Sequence, residues 1–413
     1  MRILFVVHQF MPDYAGGTEK VTLNLARAAQ AEGHGVEVLT VTHSPETGWK
    51  PVGAGLFGGV VEGVPVTAIA GAERPLTDLG FAANPALTAA TERFLASRAP
   101  FDVAHVTHGF RMTEAVEVLA ARRVPYLVTV TDFFTLCYRL NLVRLTGGIC
   151  SGPQGGEACK TWCRLHELAQ EAHVERTLRY ERLLRQASAV VAVSDYVAGV
   201  VRGEYPGLAV RVVNNGVDLL NFQPRAQPRA AGPLTIGYLG TVSEAKGALM
   251  LTRAFAASGA PNARLRIVGP CYDEAVAAEI GRLGEACDIS LEGPVGSSEI
   301  GRMMGEFDVL AVPSQVPESF CLSLYEGFAA GLPALVSDLG NPGAVIAATG
   351  AGRALAAHDP AAWAQAITEL AADPSILATW AARAPLPNRM EEEGFLYGRL
   401  YRAAATPADA ARP

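Results

Sequence analysis

Two carboxylates eight positions apart, Glu318 and Glu326, frame the stretch Glu318-Ser319-Phe320-Cys321-Leu322-Ser323-Leu324-Tyr325-Glu326, just after Pro313-Ser314. Pro313-Ser314 closes an apolar run, and the spacing that follows predicts a helix over Leu322–Ala330, so the two acids straddle a loop-to-helix junction. The first amides of such a helix, from Phe320 to Leu322, have no intrahelical acceptor and can hold a phosphate. Glu326, two turns in, can accept from two ribose hydroxyls, and Glu318, ahead of the helix, from a hexose. The alternative is an acidic first turn plus a core-edge glutamate. Burying a carboxylate among Phe320, Leu322, Leu324 and Phe328 without a partner is costly, which favours a binding role.

Two glycine-bearing turns add anion chemistry. In Gly240-Thr241-Val242-Ser243-Glu244-Ala245-Lys246-Gly247 a strand ends in glycine and Lys246 stands at a helix start, where it can meet a diphosphate as a point charge; a solvated surface lysine is the alternative. In Gly16-Gly17-Thr18-Glu19 two glycines open a helix directly after the first strand, which suits close backbone approach to an anion as well as a plain tight turn. Four of the 7 cysteines, Cys137, Cys150, Cys159 and Cys163, are separated by 12, 8 and 3 residues. Four thiolates could close a tetrahedral zinc site. The spacing lacks paired CxxC knuckles, so disulfides, an iron–sulfur cluster and free thiols stay open.

The elements that position these residues alternate between short apolar strands and helices. Strands are expected at Ile3–Val7, Val36–Val41, Val64–Ile69, Asp102–Val106, Tyr126–Val130, Ala189–Val193 and residues 211–213. After a Pro224–Pro233 linker they resume at Leu234–Leu239, Arg264–Val268, Ile289–Leu291, Val309–Val312 and Ala334–Val336. Helices are expected at Gly17–Ala31, Gly247–Ala257, Asp273–Leu283, Ser298–Gly305 and Met390–Ala405, the last with Phe395, Leu396, Leu400 and Tyr401 on one side, ahead of a loose tail Thr406–Pro413. Continuous Val/Leu/Ile runs between helices predict parallel sheets covered on both faces. The fold class is therefore α/β, as two doubly wound Rossmann-like domains facing a cleft, with ligands at the carboxyl ends of the strands. The domains are expected at 1–215, with a cysteine-containing insert at 137–163, and at 216–385, with 386–413 as a helix packing back on the first domain.

Composition limits the partners. The 413 residues are 50% hydrophobic and 18% charged with net charge −7, which is globular and disfavours nucleic acid as the main ligand. No apolar run is long enough for a membrane span and Met1–Val7 reads as a strand, so a cytoplasmic protein is expected, with at most peripheral contact at the inner face of a membrane. Arg176, Arg179, Arg182 and Arg185 drift round one side of a helix and could meet anionic head groups or an anionic acceptor; interleaved Glu167, Glu171, Glu175 and Glu181 favour a solvated, salt-bridged face.

The order of these segments resembles the retaining glycosyltransferases of the large family-four type (glycosyl transferases group 1), which have the GT-B architecture. The resemblance runs over nearly the whole chain: Phe10 to Glu19, Ala31 to Val38, Val193-Ser194, Val213 to Asp218, Lys246-Gly247, the Glu-x7-Glu segment and Ala330-Gly331-Leu332-Pro333. It implies transfer of a hexose from a UDP- or GDP-sugar to a hydroxyl of a glycan, glycolipid or natural product, without a catalytic metal. It implies catalytic roles for His108, Glu318 and Lys246, and a donor site of Gly16, Gly17, Gly240, Thr241, Lys246, Gly269, Pro313, Ser314, Glu318, Phe320, Cys321, Leu322 and Glu326. The acceptor would bind mainly to the N-terminal domain.

The chain departs from that pattern at several places. Thr241 stands where the family usually has Arg, so Lys246 acts alone or an arginine such as Arg253 helps. Cys321 replaces a usual Gly, and Asn341-Pro342-Gly343-Ala344 replaces a Gly-Glu pair after Gly340. In Asp102-Val103-Ala104-His105-Val106-Thr107-His108, Thr107 takes the place of the usual second histidine, which shifts that role to His108 at the strand end; the alternative is that His108 is only loop and His105 a satisfied core residue. A nucleotide-sugar epimerase, a phosphorolytic enzyme and a catalytically silent sugar-binding module are the rival readings, because a fold of this kind hosts many activities.

Overall fold

The computed structural model describes residues 1–14, 16–43, 48–53, 55–71, 75–166, 168–223 and 232–406. Most of the expected 224–233 linker, Glu167 and the tail past Thr406 lie outside the described residues. The chain forms two compact units: unit 1 is Met1–Gly216 with the chain from Met390 onward, and unit 2 is Val217–Arg389.

Unit 1 is built on a sheet of β1 (Arg2–Val6), β2 (Gly35–Thr42), β3 (Lys50–Gly53), β4 (Leu56–Val61), β5 (Val64–Ala70), β6 (Val103–Val106), β7 (Tyr126–Val130), β8 (Ala189–Ala192) and β9 (Val210–Val212). The spatial order is β3-β4-β5-β2-β1-β6-β7-β8-β9. From β5 to β9 every pairing is parallel. Ile3 to Val7 are fully buried, as a strand covered on both faces requires. The expectation of a wholly parallel sheet needs correction at one edge, where β3 and β4 pair antiparallel, β4 in turn against β5. Gly53, Gly58 and Gly59 interrupt that segment and its side chains are half-exposed, so no continuous apolar run marks it as strand.

Unit 2 is a parallel sheet of β10 (Leu234–Leu239), β11 (Ala263–Val268), β12 (Ile289–Glu292), β13 (Val309–Val312), β14 (Ala334–Ser337) and β15 (Gly352–Leu355), in the order β12-β11-β10-β13-β14-β15. This is a doubly wound, Rossmann-like order, whose direction reverses between β10 and β13. In unit 1 the reversal falls between β1 and β6. Fully buried Trp363, on the helix Pro360–Ala372, packs with Leu251 and Phe255 of the helix Ala248–Ser258 in the unit 2 core. The expected single helix over Ser298–Gly305 is instead a 3-10 turn, Ser297–Glu299, followed by a short helix, Ile300–Met304. Among the described residues no helix is long and apolar enough to cross a membrane.

The helix Met390–Ala405 belongs to unit 1 and packs on the helix Gly17–Ala31, where Gly394 sits so close that a Cβ would lie 2.8 Å from that of Ala28. Its inner face is Glu393, Gly394, Tyr397, Leu400 and Tyr401; Phe395, expected inside, is 56% exposed. Tyr401 Oη lies 2.8 Å from His105 Nδ1, His105 Nε2 2.7 Å from Thr129 Oγ1, and Tyr397 Oη 2.8 Å from the same hydroxyl. Burial holds His105 down to about 3, so it is a neutral, satisfied core residue. Glu393 is fully buried and accepts a hydrogen bond from the Gly216 N–H at 2.8 Å, while its Oε1 has no partner among the described residues.

Burial pushes Glu393 up to about 8. A folded pKa above the unfolded value near 4.3 means that folding favours the protonated acid, a contribution complete below about pH 4 and lost as pH rises through about 8. The melting temperature of unit 1 is therefore expected to fall by several degrees between pH 5 and 9 in the native chain, and to fall less in Glu393→Gln. Calorimetry across that range, finding equal slopes for both chains, would contradict the assignment.

Candidate functional site

In unit 2 the reversal between β10 and β13 brings two loops together. β10 is followed at once by Gly240, whose N–H donates to Val268 O at 3.0 Å. Gly269, at the end of β11, packs so tightly that a Cβ would sit 2.1 Å from Gly240 O. The Val242 N–H donates to Pro270 O at 2.9 Å and Tyr238 Oη to Thr241 O at 2.7 Å, which fixes the loop's path and leaves Thr241 exposed. At the far end of the loop Gly247 has φ +73°, and a Cβ there would meet Pro313 O at 1.9 Å. Only glycine allows that approach. The Gln315 N–H closes the junction by donating to Ala245 O at 2.8 Å.

This lays Lys246 over the end of β13. Its Nζ donates to Glu318 Oε1 at 2.7 Å, and Ser314 Oγ donates to the same oxygen at 2.6 Å. Burial alone would lower the Lys246 pKa, but the Glu318 carboxylate raises it overall, so the lysine is a firmly held cation. Lys246 and Glu318 read in the sequence as contacts to separate parts of a ligand; in the structure they are partners. Arg253, a suggested helper for Lys246, is engaged in a bidentate pair with Glu279 at 2.8 and 2.9 Å.

The turn after Glu318 carries strain. Cys321 has φ +72° and caps the helix Leu322–Ala329 without a side-chain cap hydrogen bond. An L-residue in that region costs about 1–2 kcal/mol, which explains why the resembled family uses glycine here. Burial, then the neighbouring Glu318, pushes the Cys321 thiol up to about 11, so it stays protonated. Sequence reasoning missed the residue that holds this turn. Asn341 Nδ2 donates to Phe320 O at 3.0 Å and lies 3.1 Å from Tyr325 Oη, and its N–H donates to Glu318 O at 2.8 Å. Phe320 and Tyr325 stack with centroids 4.1 Å apart. Half-buried Glu326 lies one residue past Tyr325 on the same helix. Gln315 was also missed; its Nε2 donates to Pro313 O and Ala357 O and its Oε1 faces His358 Nδ1 at 2.9 Å.

In unit 1 the reversal between β1 and β6 brings His8 and His108 together with ring centroids 4.1 Å apart. His108 Nδ1 accepts from the Phe110 N–H at 3.1 Å and its Nε2 lies 2.7 Å from Asp132 Oδ2, so the proton sits on Nε2 and both nitrogens are used within the unit. Burial, then the neighbouring His108 and Arg111, holds His8 well below the usual histidine range. His8 Nδ1 and Glu19 Oε1 are buried without hydrogen-bond partners among the described residues, and Glu19 Oε1 is 3.9 Å from His8 Nε2. Gly16 and Gly17 lie exposed at the start of the helix that carries Glu19. Neither His8 nor Asp132 follows from a motif in the sequence; their only signal is a position at a strand end beside His108.

The arginine-bearing helix, Ala172–Gln186, corrects the reading of a wholly solvated face. Arg185 does pair with Glu181, at 2.7 Å. Arg176 is instead buried and donates to Leu79 O and Phe134 O, and Arg179 is held by Glu114 and Glu117.

Two family matches cover most of the chain: "Glycosyl transferase 4-like domain" over residues 16–216 and "Glycosyl transferases group 1" over residues 221–394. The chain is related to the group 1 glycosyl transferases, whose model matches its residues 221–394. Among curated relatives, the chain is similar to the D-inositol 3-phosphate glycosyltransferase of Streptomyces avermitilis, 30% identical over 190 residues, which is 41% of this chain and 40% of that one. It is 29% identical over 232 residues to that of Streptomyces scabiei, 51% of this chain and 52% of the relative. The matches thus span about half the length of those relatives or less. Among solved structures, its fold matches sucrose-phosphate synthase from Thermosynechococcus elongatus with TM-score 0.70 at 19% identity, covering 97% of this chain and 98% of that one. It also matches HepE of Anabaena in complex with UDP and glucose, with TM-score 0.68 at 15% identity, covering 98% and 100%. The chain thus has the GT-B fold of two Rossmann-like units.

Asn341→Ala leaves the Phe320 carbonyl without its Asn341 donor. Unit 2 is expected to lose about 1–3 kcal/mol of stability in denaturant unfolding, and an unchanged midpoint would show that Asn341 does not hold the turn.

Proposed function

We propose that the protein transfers a hexose from a UDP- or GDP-sugar to an acceptor hydroxyl with retention of anomeric configuration, in the assembly of a glycan, glycolipid or natural product. The observation that carries this reading is the Lys246–Glu318 pair, with Ser314, at the strand-order reversal of unit 2 and beside an uncapped helix N-terminus. A cation and open amides at one place suit a pyrophosphate. Glu318, held on Oε1, keeps Oε2 for a hexose hydroxyl, and Glu326 takes the ribose. Gly240, Thr241, Gly269 and Pro313 shape the floor through backbone, with Phe320, Cys321 and Leu322 offering N–H groups.

In the proposed step the bond from the anomeric carbon to the phosphate oxygen breaks as the acceptor oxygen bonds to the same face of that carbon. The acceptor proton passes to the leaving phosphate oxygen, and nucleoside diphosphate departs. Lys246 and the helix amides stabilise the charge that develops on the leaving group. Unit 1 supplies the acceptor side. There His108 acts by fixing Asp132 and packing on His8, while Gly16 and Gly17 offer backbone to the donor. The names of the relatives support the donor class, since HepE is seen with UDP and glucose.

The test is a panel of nucleotide sugars with the product's anomeric configuration read by NMR. Lys246→Ala is expected to lower turnover by about 10²–10³-fold. Glu326→Ala is expected to weaken nucleotide diphosphate binding by about tenfold or more in calorimetry, as loss of hydrogen bonds to a charged group implies. Wild-type behaviour in both variants would refute the donor-site placement, and turnover without acceptor would point to an epimerase or hydrolase.

A further inference from the structure

The insert between β7 and the helix Ala172–Gln186 is tied together around its four cysteines, and the glycosyl-transfer reading makes no use of it. The Cys137 N–H donates to Phe133 O at 2.6 Å, and the Leu140 N–H to Cys137 O at 2.9 Å. These bonds fold the chain so that the N–H groups of Leu142, Arg139 and Asn141 are directed at the Cys137 sulfur. Val143 and Ile149 form an antiparallel bridge, and the Cys150 N–H donates to Leu142 O at 2.7 Å, which returns Cys150 to the same turn. Cys159 and Cys163 are one helical turn apart, with the Cys163 N–H on Cys159 O at 2.9 Å. That helical segment is docked from two sides, by Tyr138 Oη on Cys163 O at 2.7 Å and by the Leu145 N–H on Trp162 O at 3.2 Å.

We propose that Cys137, Cys150, Cys159 and Cys163 bind one zinc-like divalent ion as a structural tetrathiolate site. Three features support it. Three amides aimed at one sulfur serve a thiolate, which accepts hydrogen bonds, far better than a thiol. Cys137, Cys150 and Cys163 are buried and Cys159 is partly covered, with no disulfide among them, which suits a closed structural site. The buried Arg176 guanidinium acts on both Cys137 and Cys159, and with the amides it offsets the two negative charges that four thiolates and a dication leave. Among the described residues no three His, Cys, Asp or Glu side chains are already set to hold an ion. Binding therefore requires the cysteine side chains to move. His173 borders the insert, its ring 5.8 Å from that of Tyr138, with Nε2 buried and unpartnered among the described residues. It is a competing donor.

The test is elemental analysis of the untagged full chain, purified under reducing conditions without chelator, with cobalt substitution as the probe of ligand type. About one zinc per chain is expected, with cobalt giving tetrahedral tetrathiolate spectra. Zinc content should fall at least severalfold in Cys137→Ser, Cys150→Ser, Cys159→Ser and Cys163→Ser, and stay whole in Cys287→Ser and His173→Asn. If the serine variants fail to fold, titration of the native chain with an organomercurial gives the same answer by releasing zinc in step with four thiols. A chain with no zinc and no cobalt spectrum, disulfides by mass spectrometry, iron with inorganic sulfide, or zinc lost in His173→Asn would each overturn the assignment. None of these readouts depends on activity.

Discussion

An ammonium held 2.7 Å from a carboxylate at the end of a parallel sheet is the contact around which unit 2 is arranged. A lysine and a glutamate 72 residues apart meet only if β10 and β13 are neighbours, if the loop after β10 passes over the end of β13, and if nothing bulky stands between. The sheet order gives the first condition. The Gln315–Ala245 hydrogen bond gives the second, and Gly247 the third. Remove the glycine and a Cβ meets a carbonyl; the loop must lift and the pair must part. The ion pair is thus not a source of stability to be counted for itself. It is the point at which the backbone's close approaches become a charged, partly exposed feature, and half-exposed pairs are worth little in free energy.

Unit 1 obeys the same topological rule with different chemistry. Its reversal lies between β1 and β6, and the groups delivered there are two imidazoles in tilted contact, an aspartate and a buried glutamate. His108 has spent both nitrogens on Phe110 and Asp132, so its influence passes through Asp132 and through the His8 ring. One layer below, the His105–Thr129–Tyr397–Tyr401 network bonds the sheet to the helix Met390–Ala405. The same strand therefore carries a satisfied core histidine and, two residues past its end, leads to His108. The helix that closes the chain is a structural part of the unit that opens it.

Much of this was legible from residue order, and what was not has physical reasons. Strands covered on both faces announce themselves as unbroken Val/Leu/Ile runs, and β1, β7, β10 and β13 were placed within a residue. The β3–β4 edge is half-exposed and punctuated by glycine, so no period survives in it. The expected roles of Lys246 and Glu318 rest on their places at loop-to-helix junctions, but their mutual contact is a tertiary fact that spacing does not encode. Asn341 looked like a missing sugar contact because a motif compares residue types; only coordinates show its amide bracing the Phe320 carbonyl. Arg176 appeared solvent-facing because helical spacing ignores the two backbone carbonyls that receive it. The four cysteines were visible as a cluster, but the amides aimed at Cys137 were not.

Cys321 and Asn341 are best understood together. A left-handed non-glycine residue at the mouth of a helix costs free energy, and such costs persist where the surroundings over-determine the conformation. Here Asn341 contributes three hydrogen-bonding contacts to the residues on either side of that turn, and the Phe320–Tyr325 stack adds a rigid aromatic face beneath it. With glycine the turn would need no bracing; with cysteine it does, and the asparagine occupies the position from which bracing is geometrically available. Two departures from the family pattern, twenty residues apart in sequence, are in this view one local solution. The strained residue keeps a protonated thiol beside Glu318, adding bulk without charge next to the carboxylate that Lys246 holds.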